Sequence, residues 1–104
     1  MRERDIEAHL VRRVKELGGE VRKVQWVGRA SAPDRVVMLP LLGRYGRYGS
    51  VRTIWVELKS PKTIVTFPAD ARERAQAREH KRMRAMGQCV EVIGTIEQVE
   101  ELLA

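Results

Sequence analysis

At 104 residues the chain has material for one domain with a single modest core, so residues 1–104 are read as one unit with no separate recognition domain. Twenty Lys and Arg against fourteen Asp and Glu give a net charge of +6, which suits a polyanionic partner, nucleic acid first, and argues against a small neutral substrate. The single cysteine, Cys89, excludes a disulfide framework and a thiolate zinc site. With no signal peptide, long apolar span or lipidation signal, an intracellular, cytoplasmic setting without a membrane partner is expected.

Helical periodicity opens the chain. Ile6, Leu10, Val14 and Leu17 recur at i, i+4, i+8 and i+11, and Gly18-Gly19 stops the helix. Glu7 falls inside the apolar arc of that helix, between Val14 and Val11. A carboxylate there must be neutralised, hydrogen-bonded or bound to a cation, and an arginine partner and a functional site are both open. Glu3, one turn earlier, points the same way but lies nearer the fraying end. Residues 21–27 read as a first strand and Gly28 to Ala32 as a loop delivering Pro33-Asp34-Arg35. Val36-Val37-Met38-Leu39 is the second strand.

The segment Gly43-Arg44-Tyr45-Gly46-Arg47-Tyr48-Gly49 is a turn or loop. Its two arginines and two tyrosines suit phosphates and exposed bases, or else form an ordinary hairpin tip folded back on the sheet. Thr53-Ile54-Trp55-Val56-Glu57-Leu58-Lys59 is β-branched and aromatic, with period-2 alternation. It reads as a strand with Ile54, Val56 and Leu58 on one face and Glu57 and Lys59 on the other, about 6.6 Å apart along it. Two adjacent antiparallel strands bring Asp34 toward Glu57.

After a loop over residues 60–68, Ala69 to Met86 reads as a helix with weak periodicity. One face collects Ala75, Gln76, Met83 and Met86. Another carries Arg74, Arg78, Lys81 and Arg82, which is either a phosphate-binding ridge or a solvated face. Cys89 to Ile93 is a buried strand. Thr95-Ile96-Glu97-Gln98 is a capping box that starts a short helix with Ile96, Val99, Leu102 and Leu103 inward. The order αβββαβα fits an α/β fold with a central mixed sheet flanked by helices. His9 and His80 do not fit metal-ligand spacing, and His80 reads as a packing or phosphate-side residue. No P-loop exists, so no nucleotide cofactor is expected.

Two carboxylates and a lysine, Asp34 and Glu57-Leu58-Lys59, suit a divalent cation and an activated water beside a phosphodiester. An E-x-K triplet alone is weak in a chain one-third charged. Its context is Glu7 on the first helix, Gly28 through Pro33-Asp34-Arg35, Trp55-Val56-Glu57-Leu58-Lys59 and Gln76 on the following helix. In content and order these resemble the VRR-NUC family, the virus-type replication-repair branch of the PD-(D/E)xK nuclease superfamily, over nearly the whole chain.

The resemblance implies a PD-(D/E)xK restriction-endonuclease-like core and Mg²⁺- or Mn²⁺-dependent hydrolysis of DNA phosphodiesters. Asp34, Glu57 and the Leu58 carbonyl would hold the metal, and Glu7 would extend the acidic site. Lys59 would position the attacking water and stabilise charge, and Gln76 would orient water or substrate. The DNA-contacting set is expected to be Arg35, Arg44, Tyr45, Arg47, Tyr48, Lys62, Arg74, Arg78, Lys81 and Arg82.

Likeness to single-domain members, from viruses or bacteria, favours a homodimer that presents two sites to branched DNA such as a four-way (Holliday) junction, in a bacterial or phage-infected cell. A less selective duplex or flap nuclease, a catalytically silent nucleic-acid-binding module and an oligomerisation domain are the alternatives. Binding alone needs no carboxylates facing a polyanion.

Overall fold

The computed structural model describes residues 1–40, 49–51 and 53–104. The Arg44, Tyr45, Arg47 and Tyr48 expectations lie outside the described residues.

Helix α1 (Glu3–Glu16) buries Ile6, Leu10 and Val14, the expected stripe, and places Glu3 and Asp5 in its first turn, where the helix dipole favours negative charge. Gly18 ends it at φ +87°, a left-handed conformation in which a side chain would be strained. Strands β1 (Glu20–Lys23), β2 (Arg35–Met38) and β3 (Thr53–Leu58) form an antiparallel meander, and β4 (Val90–Ile93) joins β3 in parallel, giving the order β1-β2-β3-β4. The mixed sheet is the one the sequence predicts. Strand β1 is shorter than residues 21–27 because, past Val24, the chain leaves the ladder to carry Trp26 and Arg29 toward another helix.

Alternation along β3 divides the molecule. Ile54, Val56 and Leu58 are sealed in one core with Ile6, Leu10 and Val14 of α1 and with Val99, Leu102 and Leu103 of α4 (Ile96–Leu103). Each such side chain, fully buried, stabilises the fold by roughly 1.5–3 kcal/mol. Trp55 and Glu57 take the opposite face, which α3 (Ala71–Ala85) covers.

The weak periodicity of α3 has a structural reason. Its buried face is polar: Glu73, Gln76, Glu79 and His80 lie inside with Met83, whereas Met86, grouped with that face by its spacing, is 65% exposed. Among the described residues no helix is long and apolar enough to cross a membrane.

The segment following Lys59 is not wholly loop. Ser60 Oγ accepts from the Thr63 backbone N–H at 3.1 Å and Pro61 occupies the first turn, so residues 61–64 form a short helix, α2 (Pro61–Ile64). Glycine at position 94 lets α2 dock. A Cβ there would stand 2.4 Å from Ile64 Cβ and 2.8 Å from the Ser60 carbonyl oxygen. Thr95 caps α4 by accepting from Gln98 N–H at 3.0 Å, as expected, while the Gln98 side chain reaches one residue further back to the Gly94 N–H, at 2.7 Å. A Gly94→Ala variant is therefore expected to lose roughly 1–3 kcal/mol by overpacking, read from the urea midpoint at constant m-value.

A clamp closes the loop between β1 and β2 onto α3. Trp26 Nε1 donates to Glu79 at 2.8 Å, and the Arg29 guanidinium donates to both Glu79 oxygens at 2.6 and 2.9 Å. Arg29 first, then Trp26, holds the Glu79 carboxyl down to about 2, against an ordinary 4.5. A folded-state pKa below the unfolded one stabilises above the unfolded value and is lost as pH falls through the folded one. Thermal unfolding should therefore show Glu79→Gln melting below wild type at pH 7, with the gap shrinking below about pH 4.5 and closing near pH 2.

Candidate active site

Asp34 sits one residue before β2. Continuing the Arg35–Val56 pairing by one position sets it opposite Glu57, and Asp34 Oδ2 accepts from the Leu58 backbone N–H at 2.9 Å. The strand pairing itself thus makes the acidic pair. Glu57 is 1% exposed. Burial first, and then the facing Asp34, pushes its carboxyl up to about 9, so it carries a proton at neutral pH. Its Oε1 is buried without a hydrogen-bond partner.

Lys59 follows β3 and is 5% exposed. Its Nζ donates to Gln76 Oε1 at 2.9 Å, lies 3.2 Å from Glu73 Oε2, and stands 5.1 Å from the centre of the Phe67 ring. Gln76 in turn approaches Glu57, with Nε2 at 3.5 Å from Oε2, so one amide spans the lysine and the carboxyl. The N-terminus of α3 fixes this arrangement. Asp70 accepts from Glu73 N–H at 2.8 Å, and Glu73 Oε1 accepts from Ala69 N–H at 2.8 Å. The Glu73 carboxyl lies below its ordinary range, through the Ala69 N–H first and Lys59 after it. Glu73 was not foreseen from the sequence, although its spacing of i, i+3 to Gln76 is a signal for it.

His80 was read as a packing or phosphate-side residue; it is 1% exposed and stacks on Phe67 with ring centres 6.1 Å apart. Its Nε2 lies 3.4 Å from the orphaned Glu57 Oε1, and neither ring nitrogen has a hydrogen-bond partner. Burial, followed by Arg84 and Lys59, lowers the imidazole to about 4, so the ring is neutral at pH 7.

On α1, Glu7 forms an ion pair with Arg35, whose Nη1 also donates to the Asp34 carbonyl at 2.9 Å. The arginine partner left open by the helix wheel is present. Glu3 feels Asp34, Lys59, Arg35 and Glu7, and burial followed by Asp34 raises its pKa. It therefore joins the same electrostatic cluster, in the direction that its place one turn before Glu7 indicates.

The basic stripe of α3 is solvent-facing: Arg74, Arg78, Lys81 and Arg82 are all exposed, as is Lys62 on α2. Arg72, also exposed, lies close enough to lower the Glu57 carboxyl somewhat. A cavity of about 420 Å³ opens beside the acidic pair, lined by Asp34, Arg72, Gln76, Trp26, Arg29 and Ser31 among others.

Among the described residues no three His, Cys, Asp or Glu side chains form a ready metal cage. The donor set nonetheless suits a hard cation. Asp34 and Glu57 face one another, and the unpartnered Glu57 oxygen is a buried acceptor awaiting a proton or a positive charge.

No family model matches the chain. A phage protein named "Putative nuclease p44", from Acyrthosiphon pisum secondary endosymbiont phage 1, is 37% identical over 93 residues, which is 89% of this chain and 83% of the relative. A solved structure described as a VRR_NUC domain matches with a TM-score of 0.69 at 33% identity, covering 95% of this chain and 90% of that one. Likeness of that depth, across most of the length of both relatives, makes this chain a member of the VRR-NUC nuclease family.

Proposed function

We propose that the chain is a Mg²⁺- or Mn²⁺-dependent DNA endonuclease that works as a homodimer on branched DNA, four-way junctions foremost. The observation carrying the nuclease reading is the buried Glu57, with an unpartnered oxygen, opposite Asp34 and bridged by Gln76 to Lys59. The "nuclease" in the phage relative's name supports the same activity.

Asp34, Glu57 and the Leu58 carbonyl would hold the cation. A cation held there would supply a water of lowered pKa and screen charge growing on the phosphate. Glu57, protonated at neutral pH, would hold the cation only as a carboxylate, so rising pH would favour binding. Glu7, whose Oε2 pairs with Arg35, would extend the acidic site directly or through a water. Lys59 is already aligned by Gln76 and Glu73, and its charge stabilises the phosphorane-like transition state and orients the attacking water. Gln76, with one end on Lys59 and the other near Glu57, orients water or substrate between them.

Cleavage of plasmid DNA should require Mg²⁺ or Mn²⁺ and stop in excess EDTA, while Ca²⁺ should support binding with little cutting. Lys59→Ala should lose several orders of magnitude in rate while retaining most DNA affinity. Persistent cutting in EDTA by protein free of contaminating nuclease, or wild-type cutting by the lysine variant, overturns the site assignment.

Support for dimerisation comes from the net charge of +6, which two copies would present together to the arms of a junction. Light scattering should give a dimer. In competition the enzyme should make paired incisions in a four-way junction in preference to linear duplex, with affinity falling steeply as salt rises. A monomer without junction preference would leave a less selective duplex or flap nuclease.

A further inference from the structure

On the α3 face of the sheet, beyond the catalytic cluster, lies a second cavity of about 470 Å³, within the usual range of small-ligand sites. Trp26, Trp55, Met83 and Met86 form its apolar walls, and Arg29 and Arg82 stand at its rim. The two indoles are tilted at 59° with centres 5.7 Å apart. Each ring is fixed by its own N–H, Trp26 on Glu79 at 2.8 Å and Trp55 on Gln88 at 2.9 Å, so the polar edges are satisfied and apolar ring surface is left to line the cavity.

Both arginines meet the single carboxylate Glu79, Arg29 at 2.6 Å and Arg82 at 3.5 Å, which leaves the rim with a net positive charge. Arg29 and Arg82 remain 50% and 62% exposed. An aromatic slot with a positive rim matches a base attached to its phosphate.

Trp26 and Arg29 also line the first cavity, the one that reaches Asp34 and Gln76. The two cavities therefore share Trp26 and Arg29 as lining, so a strand lying at Asp34 would reach the tryptophan slot past Arg29. Inside a duplex every base is stacked and paired, so only an unpaired nucleotide, as at a branch point or flap, has a base free to enter.

Resting on the nuclease reading above, we propose that the Trp26–Trp55 cavity is a binding site for one unpaired nucleobase of the DNA substrate, with its phosphate on Arg29 and Arg82. The slot gives a single protomer its own means of telling a branched or single-stranded junction from continuous duplex.

The test uses the whole protein in EDTA, so that nothing is cut, and a DNA duplex carrying one unpaired 2-aminopurine. Its partner substrate is identical but abasic at that position. Wild type should bind the base-containing DNA roughly tenfold more tightly than the abasic DNA, and stacking on indole should quench the 2-aminopurine fluorescence.

Trp26→Ala and Met86→Asp should each bring the two affinities together and abolish the quench. Met86 is 65% exposed, so Met86→Asp keeps the thermal midpoint even if Trp26→Ala unsettles the clamp. Equal wild-type affinities for the two substrates, or an undiminished preference and quench in folded Met86→Asp, overturns the proposal. Cleavage of fully paired duplex in Mg²⁺ by wild type is the separate control: if it proceeds while the base preference is missing, the slot is wrong and the nuclease stands. If no DNA is bound or cut at all, both readings fall.

Discussion

A carboxyl group taken almost wholly out of water is the constraint on which this structure turns. Glu57 is 1% exposed in the middle of the sheet, held opposite Asp34 by strand register, with one oxygen left unpartnered. A chain selected for stability alone would put an apolar residue there, since a buried polar atom without a partner costs about 1–3 kcal/mol. Keeping Glu57 requires that the group stay protonated or meet a positive charge, and the neighbouring elements are arranged accordingly. Lys59 is brought near through Gln76, Arg72 approaches from outside, and the neutral His80 fills the space behind.

That arrangement explains why the helix over the site is unlike the other two long helices. Helices α1 and α4 pack through apolar stripes, whereas α3 turns Glu73, Gln76, Glu79 and His80 inward. Each of these has a partner outside the helix. Glu73 and Gln76 hold Lys59, Glu79 holds the β1–β2 loop through Trp26 and Arg29, and His80 packs between Phe67 and Glu57. A polar buried face is unstable in isolation and becomes stable only once its partners are in place. The apolar core on the opposite side of the sheet stabilises the scaffold that brings those partners together.

The α1 carboxylates show how finely the cluster is balanced. Arg35 neutralises Glu7 and also reaches the Asp34 carbonyl, so the same guanidinium that satisfies a half-buried acid holds the backbone beside the acidic pair. Glu3 adds a further negative charge within range of Asp34 and Lys59. Burial, and Asp34 facing it, are met by a proton held on Glu57.

The sequence by itself determined the helix and strand order, the division of β3 into an apolar face and a functional face, and the likeness to one nuclease family, because these follow from local periodicity and motif spacing. It also marked Glu7 as a misplaced charge that needs a partner. Tertiary structure decided who that partner is, since Arg35 lies 28 positions away and only the packing of α1 on the sheet joins them. It likewise decided that α2 forms against Gly94, that β1 ends early so Trp26 and Arg29 can reach Glu79, and that Glu73, Glu3 and His80 belong with the site. Trp26, Arg29 and the Lys59–Glu73 pairing carry no signal in a pattern of apolar repeats, because what places them is pairing between polar groups distant in the chain. Such pairing is written in the contacts between elements and not in the periodicity of any one of them.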